Sequence, residues 1–228
     1  MNRRMTQDLA HKRPYLLASL IAGISFPATW LFLPLDGGLI ALVWKMAGVG
    51  LLVPFALHRH HVGEFVPLAI ILAFYALGDG LIEFSMVAGA LAFAVGHLVA
   101  IWLYFRHRRV APTFSQKLLA IAIFLLTPVI AYGLPPTTDE AVQVAAYSVI
   151  LAAMAAMAWS SNFPRYRVGL GAVLFVISDL LIFAELGPLA NSKVSGIAIW
   201  YLYYFGVLMI AVGVAQTLVK RGHYAEGE

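Results

Sequence analysis

Long apolar stretches, separated by short clusters of charge, constrain this chain more than any other feature of its sequence. Of its 228 residues, 62% are hydrophobic and only 11% are charged, whereas soluble domains carry roughly 25% charged residues. Crossing about 30 Å of hydrocarbon takes on the order of 20 apolar residues. Eight stretches approach this length: 15–33, 38–57, 65–84, 86–105, 117–134, 139–159, 166–187 and 196–218. The sequence therefore predicts an all-α, polytopic membrane protein, with residues 1–228 forming a single eight-helix transmembrane domain.

The basic residues predict the orientation of these spans, because Lys and Arg are enriched in cytoplasmic loops. With eight spans, thirteen basic residues fall on one side: Arg3, Arg4, Lys12, Arg13, Arg59, Arg106, Arg108, Arg109, Lys117, Arg165, Arg167, Lys220 and Arg221. The opposite loops carry Lys193 beside the acidic Asp36, Asp139 and Glu140. Both termini are therefore expected to be cytoplasmic. We expect a multi-pass protein of a bacterial inner membrane, although the pattern suits an endoplasmic reticulum protein equally well.

A weak internal repeat links the two halves of the chain. The pattern Asp-x-Leu-Ile occurs at 79–82 and again at 179–182, and Ala-Ile-Trp occurs at 100–102 and at 198–200. Each pair is offset by four predicted spans, so the two halves would share one orientation. This predicts a four-plus-four parallel repeat.

Ionisable side chains inside the apolar stretches are the candidates for function, because a charge at the bilayer centre costs at least about 2.5 kcal/mol. The set comprises Lys45, Asp79, Glu83, His97, Asp179 and Glu185. At about 1.5 Å per residue, most of them lie about 8 to 16 Å below the outer ends of their spans, and Tyr147, Tyr203 and Tyr204 fall at similar depth. This shared layer predicts one polar pocket in the outer half of the membrane.

Structural roles remain open for several of these residues. Lys45 is equally suited to an ion pair with one aspartate that joins two spans. Glu83 is predicted to mark the mouth of the pocket, and Glu185 is predicted to be a solvated helix end. His97 is as well suited to packing beside Gly96 as to a site. One Lys cannot neutralise several nearby carboxylates, so at least one of them is expected to be protonated at neutral pH.

Several kinds of chemistry are excluded or unsupported by the sequence. Cysteine is absent, which excludes disulfides and thiolate catalysis. The sequence contains no phosphate-binding glycine loop, no serine-hydrolase elbow and no H-E-x-x-H zinc motif. Two acids and a histidine can hold a metal, but no spacing requires one, so neither a cofactor nor a metal is predicted. Short loops leave no room for a soluble domain, and no nucleic-acid partner is expected.

Short motifs in four spans resemble those of a known family. The motifs are Lys45 in span two, Gly78-Asp79 in span three, Phe93-x-x-Gly96-His97 in span four and Ser178-Asp179 in span seven. Their order and placement are similar to those of the YhhN/lysoplasmalogenase family of integral membrane proteins, and the resemblance covers nearly the whole chain. Two positions depart from it: Met46 stands where a proline is expected, and Ala100 stands where a tyrosine is expected. These departures bear on substrate preference.

The resemblance implies a hydrolase that cleaves the vinyl ether bond of lysoplasmalogens. The products would be a fatty aldehyde and glycerophosphoethanolamine or glycerophosphocholine, and the partners would be a lysophospholipid substrate and the bilayer. Vinyl ethers are labile to acid, so the site needs a protonated carboxylic acid and a carboxylate, as in glycosidases. Asp79 and Asp179 are the predicted catalytic pair. Lys45 would hold one carboxylate ionised or bind the phosphate, and Tyr147, His97 and Tyr204 would position water or the head group.

A second class of function uses the same residues. A proton-coupled transporter or a lipid-handling protein also needs buried acids and a central lysine. Such carriers tend to have broken helices at corresponding positions of their two halves. Pro27, Pro54, Pro67 and Pro128 do not fall at corresponding positions, which favours the enzyme.

Overall fold

The structure, a computed structural model, describes residues 3–32, 38–57, 63, 65–190, 192 and 195–225, with side chains described between residues 13 and 221 of these ranges. The described residues are helical and contain no β-strand. The α-helices are α1 (Arg3–Ser25), α2 (Ala28–Leu31), α3 (Leu39–Gly50), α4 (Leu52–Leu57), α5 (Phe65–Leu81), α6 (Met86–Arg106), α7 (Phe114–Tyr132), α8 (Thr138–Ser160), α9 (Leu170–Glu185) and α10 (Ser195–Ala225). A π-helical turn, Arg165–Gly169, leads into α9.

Within the described residues, seven helical segments are long and apolar enough to cross a membrane. They are Arg13–Leu31, Leu39–Leu57, Met86–Arg106, Phe114–Tyr132, Thr138–Ser160, Arg165–Glu185 and Ser195–Arg221. A further apolar helix, Phe65–Leu81, is shorter and is about 25 Å long at 1.5 Å per residue.

The prediction of an all-α protein with long apolar helices is confirmed. The count of eight spans, the internal repeat, the single-domain organisation and the orientation of the termini stay predictions, and the loop charges Asp36, Arg59 and Lys193 lie outside the described residues.

Residues Met1–Val99 and Ala211–Glu228 form one compact unit, unit 1. Its α1 packs on α3, and α3 packs on α5. Hydrogen bonds join α1 to α3: the Ser19 hydroxyl donates to the Gly48 carbonyl at 2.6 Å, and the Trp44 indole donates to the Ala22 carbonyl at 3.2 Å. These bonds satisfy polar groups that would be costly to leave unpaired in hydrocarbon.

Residues Ala100–Ile210 form the other compact unit, unit 2. Its α7 packs against α8, and α8 packs against α9. A capping box at Thr113 starts α7, in which Thr113 and Gln116 satisfy each other's backbone N–H groups. The helix continues through Pro128 to Tyr132, as expected where the residues around a proline satisfy the freed backbone group. Thr137 caps α8, whose first turn carries Asp139 and Glu140, where negative charge suits the helix dipole.

Two glycines set the approach of α9 to α10 in unit 2. A Cβ atom on Gly171 would lie 2.5 Å from the Gly206 carbonyl oxygen, and a Cβ atom on Gly206 would lie 2.6 Å from the Gly171 carbonyl oxygen. Only residues without a side chain fit this contact, as at many close helix crossings in membranes. The α9 helix, which carries Asp179, is therefore held directly against the backbone of α10.

Candidate functional site

Asp79 lies in the last turn of α5 and is only 3% exposed. Gly78 precedes it, and a Cβ atom on Gly78 would lie 2.8 Å from the Phe93 ring of α6. The glycine therefore lets α6 pack closely beside the carboxyl group. Burial of Asp79 within unit 1 agrees with the expectation that an acid in a membrane helix faces protein rather than lipid.

Tyr75 of α5 and His97 of α6 form a buried polar contact. Tyr75 is one helical turn before Asp79 and so lies on the same face of α5. Its Oη atom lies 2.9 Å from His97 Nδ1, a hydrogen bond whose donor depends on the histidine tautomer. Both side chains are fully buried, and their rings meet edge to face with centroids 5.3 Å apart. Gly96 makes room for this contact, because a Cβ atom there would lie 2.6 Å from the Tyr75 ring.

Replacing Tyr75 with phenylalanine is expected to destabilise the protein by about 1–3 kcal/mol, because a hydrogen bond between two buried groups is lost while the packing volume is kept. Thermal unfolding in a neutral detergent measures the change. The matched control is Tyr132→Phe, since the Tyr132 side chain is half exposed. Equal unfolding temperatures for both variants and the wild type would show that the hydrogen bond contributes nothing.

Lys45 and Glu83 form an ion pair in unit 1. Lys45 lies in α3, whereas Glu83 lies in the turn that follows α5. The lysine side chain is 14% exposed and the glutamate side chain is 45% exposed. The sequence suggested an aspartate as the partner of Lys45, and the pair with Glu83 was not anticipated. The placement of Glu83 at the mouth of a polar pocket stays a prediction.

Asp179 lies in the middle of α9 in unit 2 and is 6% exposed. The Tyr147 hydroxyl of α8 donates a hydrogen bond of 2.8 Å to Asp179 Oδ2. Tyr147 also meets the Phe183 ring edge to face, with ring centroids 6.1 Å apart. The tyrosine is thus oriented by packing on one side and by the carboxyl group on the other, which defines the position of the Asp179 side chain.

Aromatic residues of α10 surround the other side of α9. Ser178, next to Asp179, donates from its hydroxyl to the Ile199 carbonyl at 2.9 Å. Tyr203 packs edge to face on Phe175 at 5.0 Å. Tyr204 is fully buried and stacks on Trp200, with ring centroids 6.0 Å apart and an angle of 11°. Burial this complete is unlike an interfacial aromatic belt, whose rings face the headgroup region.

The structure brings some of the predicted site residues together. In unit 1 it pairs Lys45 with Glu83 and places His97 against Tyr75, and in unit 2 it joins Tyr147 to Asp179. The proximity of Asp79 to Asp179 stays a prediction. Glu185, predicted to be solvated, is partly buried and accepts a hydrogen bond from Ser195.

Tyr75 is the residue that sequence reasoning missed. Its signal was available, since Tyr75 and Asp79 are four residues apart in one apolar helix and therefore lie on one face. Trp200, which was not a predicted site residue, is 3% exposed and stacks on Tyr204. Among the described residues, no group of three or more His, Cys, Asp or Glu side chains is arranged to hold a metal ion.

The chemistry available to these residues is proton transfer and polar binding. Two buried carboxyl groups, each on a helix fixed by close packing, are suited to general acid and base roles. Buried tyrosine and histidine side chains can orient a water molecule or a polar substrate atom. The ion pair offers a cation for a phosphate and an anion for an ammonium group.

Comparison with known proteins identifies a family for this chain. No curated protein and no solved structure matches the chain. The sequence matches the YhhN family over residues 40–214, a range that includes Lys45, Asp79, His97 and Asp179 together with α3 to α9 and most of α10. The family predicted from short motifs in the sequence is therefore confirmed: this chain belongs to the YhhN family.

Proposed function

We propose that this protein is a membrane-embedded hydrolase that cleaves the vinyl ether bond of lysoplasmalogens, with Asp79 and Asp179 as its catalytic acids. The observation that carries the proposal is a buried aspartate in each compact unit, on helices apolar enough to lie in a membrane. Such residues are costly in hydrocarbon and so point to function. Membership of the YhhN family is compatible with a hydrolase. We place the protein in a bacterial inner membrane, with both termini cytoplasmic.

The reaction needs no covalent intermediate with the protein. A proton adds to the alkene carbon farther from the ether oxygen, which leaves an oxocarbenium ion on the carbon bonded to that oxygen. Water adds to this carbon and loses a proton, giving a hemiacetal. The hemiacetal hydroxyl then loses its proton as the carbon bond to the glycerol oxygen breaks, and the glycerol oxygen takes up a proton. The products are a fatty aldehyde and a glycerophospho-alcohol.

One carboxyl group serves as the proton donor, and the other, as a carboxylate, stabilises the oxocarbenium ion and accepts a proton from water. The Tyr147 hydroxyl holds the Asp179 carboxyl group in one orientation at 2.8 Å. The hydrogen bond between Tyr75 and His97 ties α5 to α6 on the face of α5 that also carries Asp79. Lys45 and Glu83 are suited to the phosphate and the ammonium group of the substrate. Tyr204, buried against Trp200, helps to position the head group or water.

The experiment that tests the proposal measures aldehyde release by purified protein in detergent. Lysoplasmenyl-ethanolamine and lysoplasmenyl-choline are the substrates, and an acyl lysophospholipid is the control. A parallel reaction in D₂O should yield aldehyde with one deuterium on the carbon next to the carbonyl, because the proton comes from solvent through a carboxyl group. Activity that survives EDTA supports the acid mechanism. A folded protein that releases no aldehyde from either substrate would contradict the proposal.

Tyr147→Phe is expected to lower kcat roughly tenfold while the protein stays folded, because the substitution removes the hydroxyl that holds Asp179 and keeps the ring on Phe183. Steady-state kinetics of aldehyde release check this value. Tyr132→Phe, at a half-exposed position of α7, should match the wild type. A normal kcat for Tyr147→Phe would mean that the hydroxyl plays no part in positioning the acid.

A further inference from the structure

Five arginines gather where α6 ends and the π-helical turn before α9 begins. We call this set the arginine surface: Arg106, Arg108, Arg109, Arg165 and Arg167. It lies within unit 2. The acidic residues at the start of α8, Asp139 and Glu140, lie about 30 Å away along that helix. The described residues 100–138 and 141–178 contain no Asp or Glu, so the positive charge here is not offset locally within unit 2.

The backbone holds this surface in one shape. The Arg109 N–H donates to the Ser160 carbonyl at 3.2 Å, and the Asn162 N–H donates to the His107 carbonyl at 2.7 Å. The Asn162 side chain adds a bond to the Arg108 carbonyl at 3.1 Å. The segment after α6 and the segment after α8 therefore form one bridged structure. Because the bridge is already formed, less conformational entropy is lost when a ligand binds.

Three of these arginines stack on exposed aromatic rings. The guanidinium groups lie 4.8 to 5.2 Å from ring centroids, in the pairs Arg106 on Trp102, Arg108 on Phe105 and Arg165 on Tyr166. The rings are 47%, 53% and 71% exposed, respectively. Tryptophan and tyrosine at a helix end are typical of the boundary between hydrocarbon and head groups. Guanidinium groups stacked on rings at such a boundary would lie near the depth of lipid phosphates.

We propose that the arginine surface binds the head groups of anionic phospholipids in the adjacent leaflet. A guanidinium group matches a phosphodiester with paired N–H bonds, and stacking on an aromatic ring leaves those N–H groups available. Exposed apolar residues continue from the surface along the neighbouring helix α7, among them Phe114, Leu118 and Leu125, and are suited to the acyl chains. The occupant is a diacyl lipid of net negative charge, such as phosphatidylglycerol, distinct from the lysolipid of the proposed reaction.

The test compares lipid binding by paired charge variants of the whole protein. Arg108→Gln/Arg165→Gln removes two charges from the surface, and Arg13→Gln/Lys220→Gln removes two exposed charges elsewhere in the chain. Native mass spectrometry of detergent-solubilised protein measures the dissociation constant for phosphatidylglycerol, phosphatidylcholine and inorganic phosphate. A basic residue at an anionic membrane is worth roughly fivefold in affinity, so the first variant should bind phosphatidylglycerol about thirtyfold more weakly.

Three outcomes support the proposal together: tighter binding of phosphatidylglycerol than phosphatidylcholine, negligible binding of inorganic phosphate, and wild-type affinity in the Arg13/Lys220 variant. Unfolding temperatures in neutral detergent establish that both variants are folded. A third variant, Trp102→Leu, keeps every charge but removes one stacking ring, and it should weaken binding by a smaller factor. Equal affinity for the two lipids, or equal losses in the two paired variants, would overturn the proposal.

Discussion

Asp79→Asn and Asp179→Asn are each expected to lower the rate of aldehyde release by about 100- to 10,000-fold, the range over which a positioned acid or base accelerates a reaction. Asparagine keeps the shape of the side chain but cannot deliver or accept the reacting proton. Each aspartate is buried, at 3% and 6% exposure, so an amide adds no cost of burying a charge. Both variants should therefore remain folded.

The control for this experiment is Asp139→Asn, which removes a carboxylate from the exposed first turn of α8. It should keep wild-type activity. Unfolding temperatures separate a loss of chemistry from a loss of structure. Full activity in both buried variants would remove the two acids from the mechanism. If only one of the two variants loses activity, the reaction uses that aspartate alone, and a water molecule takes the role proposed for the other.

Gly171→Ala is expected to destabilise unit 2 by about 1–3 kcal/mol, the usual cost of overpacking. The added methyl group would lie 2.5 Å from the Gly206 carbonyl oxygen. Because the contact is with backbone rather than with a flexible side chain, α9 and α10 would have to move apart. That movement would lengthen the bond from Ser178 to the Ile199 carbonyl. A fall in the unfolding temperature in detergent, with reduced aldehyde release, is the expected result.

The matched control is Gly50→Ala, where the new Cβ atom would lie 3.7 Å from the Ala76 Cβ atom in ordinary contact. Alanine is favoured over glycine in helices, so this variant should unfold at the wild-type temperature or slightly above it. If Gly171→Ala unfolds at the same temperature as Gly50→Ala, the α9–α10 contact is less rigid than the backbone approach implies.

The predicted spans and the observed helices differ at particular residues. The predicted span 65–84 becomes a helix that ends at Leu81, because Gly78 and Gly80 weaken its last turn and the next three residues form turns. The first predicted span contains a break at Phe26–Pro27, and the second contains one at Leu51. Pro27 explains the first break, since proline lacks the N–H of a continuing helix. Hydropathy averages over these residues and does not detect such breaks.

The choice of partners also differs from expectation, as Lys45 illustrates. Hydropathy and spacing identify Lys45 as a costly charge that requires a partner. The aspartates were the candidate partners, because their depth in the membrane, estimated from residue number, is closest to that of Lys45. The structure pairs it with Glu83, which lies beyond the end of α5. Depth along a span depends on residue number alone, whereas the partner depends on the rotation of each helix about its axis and on its neighbours. The sequence of a single span specifies neither its rotation nor its neighbours.

Local composition is sufficient to predict that this chain is helical and apolar along most of its length, and to identify the candidate residues for chemistry. In hydrocarbon, a backbone must satisfy its own hydrogen bonds and charges are expensive, so both properties follow from local composition. Three contacts become visible only in the folded chain: Tyr147 holds Asp179, Tyr75 meets His97, and the arginines share one bridged surface. These contacts join residues that are distant in sequence, and they depend on how the helices pack, as at Gly96, which makes room for the Tyr75 ring.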